Sequence, residues 1–254
     1  MYKPSFNFHF LFTLLLNLIF FYPLNSLATT TLSPEEILIK ANEARDIMET
    51  GVEWKINILV RNGQGEQSIS AIGKVRGSFS VTIVETPENL KGTRIYIAKD
   101  KLWFWKPGQN LPIPITKQQK LMGPAAYGDI LSTDYAKNYS AELIGEEIID
   151  NRLSWIFSLK AFRNDVAYSA IKYWIDQQDY LGIKAEFFTA SGKIVKSAKM
   201  KYDNHVVQNG NIIPFISEIT ITEEQLKFEE VILTFSDPIL KEIPDEVFNL
   251  NFTP

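Results

Sequence analysis

Apolar residues recur at every second position through most of this chain, and this alternation constrains the fold more than any other feature. In VEWKINILVR, residues 52–61, the apolar side chains alternate with polar ones, which is the pattern of a half-buried β-strand. The segments QSISAIGKVRG, SFSVTIVE, TRIYIAK and LWFWK repeat the pattern, separated by short turn sequences such as NGQG. The first half is therefore predicted to be an antiparallel meander of about five strands.

The stretch from Lys101 to Ile130 interrupts this meander. Pro107 and Gly108 end the aromatic strand, and the prolines of LPIPIT restrict that segment to an edge strand or an extended loop. From Lys117 to about Asp134 the pattern becomes helical, with breaks at Gly123-Pro124 and Gly128. We expect two short helical pieces around a bend, forming a lid with hinges at these prolines and glycines.

Alternating segments resume after the interruption. They run from SAELIGEEII to KFEEVILTF and include IIPFISEITI as one strand, with Asp203-Asn204-His205 as a turn before it. IPDEVFNL, with Pro244 at its start, is predicted to be one turn of helix. About ten or eleven strands with so few helices favour one large curved sheet or a barrel-like form, a mainly β (α+β) fold.

One clear helix precedes the sheet. Ser33, Pro34 and Glu36 form a capping box with proline at the first helical position. Apolar residues then recur at helical spacing as far as Met48, and Gly51 is a natural stop. We expect this helix to pack on the sheet.

The first residues have the pattern of an export signal. Lys3 is followed by an apolar stretch without an acidic residue before Glu35, and the stretch ends in Ser26-Leu27-Ala28, which a signal peptidase would accept. A membrane anchor is the alternative, but the apolar core is short for a full span. We expect Sec-dependent export, cleavage after Ala28, and one mature domain over 29–254. Without cysteine there is no lipidation site and no disulfide.

Composition excludes several functions. With 26 Lys and Arg against 30 Asp and Glu, the chain lacks the basic balance that nucleic-acid binding requires. It has no cysteine, and no G-x-S-x-G motif surrounds a serine; His205 is the one histidine after the leader. Asp129 with Asp134, or Glu146 with Glu147, remain candidates for a carboxylate pair, although acids at such places are usually caps. Neither an enzyme nor a cofactor is expected.

Large apolar side chains from strands across the chain are predicted to share one sheet face. They are Trp54, Phe79, Trp155, Phe157, Tyr173 and Phe187. One helix cannot cover so wide a face. Two interpretations stay open on periodicity alone: an ordinary large β-core, or an apolar cavity that accepts acyl chains.

Several segments in order resemble one known family. RIYIAKDKLWFWKPGQNLPIPI, LMGPAAYGDILSTDY, ELIGEEIIDNRLSWIFSLKA, IKYWIDQQDYLGIKAEFFTASGKIVKSAKMKYD and IPDEVFNL resemble the outer membrane lipoprotein-sorting proteins, a LolA-like group of the LolA/LolB superfamily of periplasmic lipoprotein carriers. The resemblance implies an unclosed β-barrel around an apolar cavity with a helical lid. Where family members usually carry Gly-Ser-Asp-Phe, this chain has Gly123-Pro124-Ala125-Ala126.

The resemblance also implies the function and the site. We expect a periplasmic carrier that binds acyl chains of lipoproteins or lipids between the inner and outer membranes, with an inner-membrane exporter and an outer-membrane acceptor as partners. A sensor or accessory module that binds a protein partner is the alternative, and an enzyme using Asp129 is a third hypothesis. The residues expected to line the cavity are Trp54, Ile56, Ile58, Phe79, Val81, Ile83, Ile95, Trp103, Phe104, Trp105, Met122, Leu131, Trp155, Phe157 and Tyr173. Which face of strand 102–106 points inward is left open.

Overall fold

The N-terminal helix forms where the capping box predicts it. The computed structural model describes residues 32–45, 51–98, 101–116, 134–164, 166–224 and 229–249. Helix α1 spans Pro34–Arg45. The Ser33 hydroxyl accepts a bond from the Glu36 amide at 3.2 Å, and the Glu36 carboxylate accepts one from the Ser33 amide at 2.7 Å. Both bonds satisfy backbone donors of the first turn, and the predicted last turn to Met48 lies outside the described residues.

The first meander forms as the alternation predicts. Its strands are β1 (Val52–Asn62), β2 (Gly65–Arg76), β3 (Phe79–Thr86), β4 (Arg94–Ala98) and β5 (Lys101–Trp105). A short 3₁₀ helix, Glu88–Leu90, connects β3 and β4. Each strand pairs antiparallel with the next. The proline-rich segment then adds a two-residue edge strand, β6 (Ile113–Pro114).

The second half begins with a four-residue helix, α2 (Tyr135–Asn138), whose N-cap is Asp134. The strands after it are β7 (Tyr139–Ile149), β8 (Arg152–Ala161), β9 (Ala170–Asp176), β10 (Gly182–Phe188), β11 (Ile194–Lys201), β12 (Asn204–Gln208), β13 (Asn211–Phe215), β14 (Glu218–Glu223) and β15 (Glu230–Leu240). The helical turn expected after Pro244 is a 3₁₀ helix, Asp245–Phe248.

One large antiparallel sheet organises the described part of the chain. Its 13 strands follow the order β6-β5-β4-β3-β2-β1-β15-β14-β11-β10-β9-β8-β7. The pairing of β1 with β15 joins the two meanders, while β6 and β7 remain as edges. The fold is therefore mostly β, with one large unclosed sheet, and the predicted fold class is confirmed. The sheet has more strands than the sequence pattern resolves because the two-residue β6 adds an edge strand.

Two sequence expectations in the C-terminal part are wrong. The turn expected at Asp203-Asn204-His205 is the start of β12, and the single strand expected over IIPFISEITI is two strands, β13 and β14. Strands β12 and β13 form a separate two-stranded hairpin. Asn209 and Gly210 both have positive φ, 52° and 80°, as a tight type I′ hairpin turn requires.

Candidate functional site

The inner face of the sheet, defined as the side that carries Trp54, Ile56 and Ile58, holds the main core. Directly paired residues of antiparallel strands project to the same side, so strand register assigns each side chain to a face. Through β15, β14, β11 and β10, the register links Val60 to Val231, Ile221, Ala198, Ala185 and Tyr173. Val60 packs against one buried apolar cluster to which the other five residues belong, so the inner face is continuous from β1 to β9.

Register divides the predicted cavity residues between two faces. On the inner face lie Trp54, Ile56, Ile58, Ile95, Phe104, Trp155, Phe157 and Tyr173, whereas Phe79, Val81, Ile83, Trp103 and Trp105 lie on the outer face. Met122, Leu131 and the expected hinges Gly123, Pro124 and Gly128 are outside the described residues. Pro107 and Gly108 form an exposed turn after β5.

The expectation that Phe79 shares a face with Trp54 is wrong because of the turn before β3. Arg76 pairs with Phe79 across the two residues Gly77 and Ser78. This register places Ser80 and Thr82 on the inner face. The odd-numbered apolar residues of β3, Phe79, Val81 and Ile83, therefore project to the outer face. The Phe79 ring instead lies 6.1 Å from that of Phe248.

Trp105, on the outer face of β5, supports local structure. The indole of Trp105 donates a hydrogen bond to the Gln109 carbonyl at 2.9 Å, and the Arg94 guanidinium lies 5.3 Å from its ring centroid. The neighbouring residue Phe104 projects to the other side of the sheet and pairs with Ile95 on the inner face. The face of strand 102–106 that points inward is therefore the one with Leu102 and Phe104.

Helices α1 and α2 close one half of the inner face. Ile37, Leu38 and Ala41 of α1 are buried in the main cluster. The Tyr135 ring of α2 lies 4.8 Å from that of Tyr173 on β9. Asn42 of α1 donates a hydrogen bond to Asp134, the N-cap of α2, so the two helices form one cover over β7 to β10.

The β12–β13 hairpin forms a second cover that sequence reasoning missed. Its buried residue Phe215 packs edge-on against Trp54 at 5.4 Å between ring centroids, and Trp54 in turn lies 6.4 Å from Phe235. The opposite side of the hairpin exposes Val207 and Ile212, which pair with each other. The Asn209-Gly210 dipeptide between two apolar runs was the signal that could have identified this hairpin.

The other half of the inner face, on β3 to β5, is less covered. Thr82, Ile95 and Phe104 form one row with Gly73 and Trp54 across five neighbouring strands. Thr82, Ile95 and Phe104 are only half-buried. Phe157 and Tyr173, on the part of the inner face that the helices cover, are fully buried. Along this row the inner face thus changes from fully buried to half-buried side chains, with Trp54 at the boundary, whereas Val84 and Leu102 of the same half are buried.

A cavity of about 420 Å³ lies at the C-terminal end of α1. Helix α1, the β9–β10 turn and the hairpin line it through Glu43, Ala44, Asp179, Leu181, Gln208, Ile213 and Pro214. Its volume is within the range of ligand pockets. The hairpin therefore borders a cavity as well as covering the core.

One ion pair is buried on the inner face. Lys196 of β11 is opposite Glu223 of β14, and its ammonium donates to that carboxylate. The side chains are 0% and 6% exposed. Burial raises the pKa of the Glu223 carboxyl, although Lys196 acts in the opposite direction. This ion pair places two opposite charges beside the apolar core of the inner face, between β11 and β14.

The described members of the candidate carboxylate pairs form structural hydrogen bonds. Asp134 caps α2 by accepting a bond from the Lys137 amide at 3.0 Å. Glu146 accepts a bond from the Gln177 side chain at 2.7 Å and Glu147 one from the Trp174 indole at 2.6 Å. Glu146 and Glu147 pair with consecutive residues of β8 and so lie on opposite faces.

Metal-binding and catalytic groups are sparse in the part of the chain that the structure describes. His205 is exposed on β12, and Asp129 is outside the described residues. Within the described ranges, no three His, Asp or Glu side chains are grouped as a metal site would need. The arrangement offers apolar contact surface rather than a set of reactive groups.

An unclosed antiparallel sheet with helices and a hairpin over its apolar inner face is the LolA-like class of fold. A LolA superfamily protein from Nitrosomonas europaea matches with a TM-score of 0.70 and 25% identity, over 86% of this chain and 98% of that one. A protein from Vibrio parahaemolyticus described as an outer membrane lipoprotein-sorting protein domain gives 0.72 and 18%, over 84% and 95%. A DUF1329 family protein from Desulfovibrio piger gives 0.73 and 14%, over 85% and 95%. The resemblance to lipoprotein-sorting proteins is therefore confirmed.

A family model described as "Uncharacterized protein" matches residues 77–252, and the chain belongs to that family. No curated protein matches the sequence. In the part of the chain that the structure describes, no helix has the length and apolar character to cross a membrane.

Proposed function

We propose that this protein is a periplasmic carrier that binds the acyl chains of lipoproteins or lipids and transfers them between the inner and outer membranes. One observation carries the proposal. Among the described elements, α1, α2 and the hairpin close the inner apolar face from β7 through β15 to β1, whereas Thr82, Ile95 and Phe104 on β3 to β5 are only half-buried. Half-buried apolar residues that continue a buried core, such as Ile95 and Phe104, provide surface against which a hydrocarbon chain can pack.

Burial of hydrocarbon would supply the affinity. Each methylene that leaves water contributes about 0.8 kcal/mol, so an acyl chain along the open half gains affinity without a charged partner. The LolA-like fold supports this role. An exporter that loads the carrier and an acceptor that unloads it complete the proposal, together with removal of residues 1–28 on export. No catalytic step is required.

Two matched variants test the proposal. Phe104→Ser and Phe79→Ser each remove a half-buried aromatic ring from neighbouring parts of the first meander, but from opposite faces of the sheet. We expect Phe104→Ser to weaken binding of a fluorescent fatty acid by roughly tenfold or more, since one Phe side chain contributes about 1.5–3 kcal/mol on burial. Phe79→Ser should bind within about twofold of the unmodified protein. Equal losses in both variants would contradict the inner-face assignment.

The exposed side of the hairpin favours a second candidate, an accessory module that binds a protein partner. Val207 is 65% and Ile212 is 71% exposed, and the two residues pair across the hairpin, so in this candidate they form the centre of the surface that the partner contacts. Native mass spectrometry of the protein from its own periplasm separates the candidates. Bound lipid supports the carrier, whereas a stable complex with an empty protein supports the module.

A further inference from the structure

Trp54 has a buried hydrogen-bond donor that the fold does not use. The residue is 8% exposed. Its Nε1–H is fully buried and has no acceptor among the groups that the structure describes. Because a buried indole N–H normally has a partner, this donor needs an explanation beyond packing.

The position of the indole indicates where a partner would lie. A Cβ added to Gly73 would be 2.8 Å from Trp54 Nε1 and 2.9 Å from its Cε2, so the N–H edge of the ring lies over the glycine of β2. Gly73 is the next residue of the row toward Thr82. The donor edge therefore lies on the side of Trp54 that adjoins the open half of the inner face.

The row beyond Gly73 fits an elongated apolar molecule. Thr82, Ile95 and Phe104 continue the row over β3, β4 and β5. At about 4.8 Å per strand, the distance from β1 to β5 is roughly 19 Å. A chain laid along this row has its hydrocarbon on Ile95 and Phe104, and its polar end beside Trp54.

We propose that the Trp54 indole donates a hydrogen bond to a carbonyl oxygen of the cargo, which selects acyl esters and amides over plain hydrocarbon chains. This inference rests on the proposed carrier function and names the chemical class that the same site binds. Trp54 is a specificity-determining residue in this account, and Gly73 provides the space in which its N–H edge lies.

Paired ligands and paired variants test the inference. Methyl palmitate has a carbonyl acceptor and hexadecane has none. Trp54→Phe keeps an aromatic ring against Phe215 but removes the donor. Trp155→Phe is the matched control. Trp155 is another inner-face tryptophan, but it lies on β8, where its ring contacts Tyr180 rather than Gly73. Affinities are measured by displacement of a fluorescent fatty acid.

We expect Trp54→Phe to weaken methyl palmitate binding by roughly tenfold and to leave hexadecane binding within about twofold, because one hydrogen bond is lost from the ester alone. Trp155→Phe should affect both ligands equally. In ¹⁵N spectra, the indole resonance that Trp54→Phe removes should move downfield with the ester and stay in place with the hydrocarbon.

Other outcomes would overturn the inference in distinguishable ways. If Trp54→Phe weakens both ligands equally, or if the Trp54 indole resonance does not respond to the ester, the hydrogen bond is refuted while the carrier function stands. If the unmodified protein binds neither ligand, the carrier function is refuted and the inference with it.

Discussion

The buried pair Lys196–Glu223 permits a prediction whose size follows from its surroundings. With side chains 0% and 6% exposed, neither charge can exchange its partner for water. Lys196→Met keeps the length of the side chain but removes the ammonium. We expect the free energy of unfolding at neutral pH to fall by about 3–5 kcal/mol, the usual cost of leaving one buried charge uncompensated.

The pH dependence of that loss is the sharper test. Burial already raises the pKa of Glu223, and Lys196 holds it down, so the substitution raises this pKa further. A carboxyl with a raised pKa binds its proton more tightly in the folded state than in the unfolded state. Stability therefore decreases as pH rises from the ordinary glutamate pKa to the raised one, by up to about 1.4 kcal/mol per pH unit. The deficit of Lys196→Met should shrink as pH falls toward that ordinary value.

Urea unfolding followed by tryptophan fluorescence at several pH values measures both effects. Lys199→Met is the control, because Lys199 is exposed on the same strand and should change stability by no more than about 0.5 kcal/mol. Lys196→Met/Glu223→Leu, which removes both charges, should recover most of the loss. A loss below about 1 kcal/mol with no dependence on pH would refute the reasoning.

Three further predictions concern stability. A Cβ on Gly182 would overlap the Tyr173 hydroxyl, so Gly182→Ala should lower the free energy of unfolding in urea by roughly 1–3 kcal/mol or more, and an unchanged midpoint would contradict the packing. Phe215→Ala should cost about 3–5 kcal/mol in the same assay because its ring is buried in the core. Burial alone would raise the pKa of Asp176, but hydrogen bonds from Arg152 and two backbone amides lower it. The contribution of Asp176 to folding stability is therefore present above the ordinary aspartate pKa and is lost as pH falls through the lowered pKa. Asp176→Ala should therefore cost roughly 2–4 kcal/mol at neutral pH and less in acid, and a loss independent of pH would contradict this assignment.

Period-two alternation predicted the two meanders, because each strand places one face in the core. It could not predict which residues of different strands share a face, since that depends on the number of residues in each turn. Phe79 shows the effect: the Gly77-Ser78 turn pairs it with Arg76, and its apolar neighbours follow it to the outer face. Counting across that turn would have assigned the faces of β3 correctly.

Other parts of the site depend on tertiary contacts that no local pattern contains. The hairpin was missed because a polar start, Asn204-His205, resembles a turn, and because β13 and β14 read as one apolar run. Packing of Phe215 on Trp54 requires the hairpin to fold back over β1. The unused donor of Trp54 likewise emerges only when Gly73 is seen beneath its ring.

Pro112 and Pro114, at the β6 edge, have a consequence for how an unclosed sheet avoids edge-to-edge association. The Ile115 amide donates inward to the Leu102 carbonyl at 2.9 Å, so by strand alternation Pro112 and Pro114 are the positions whose nitrogens point away from β5. Proline nitrogens carry no hydrogen, and this rim therefore presents acceptors without donors. A strand from a second copy cannot complete a ladder there, so the unclosed sheet is protected from polymerising through this edge.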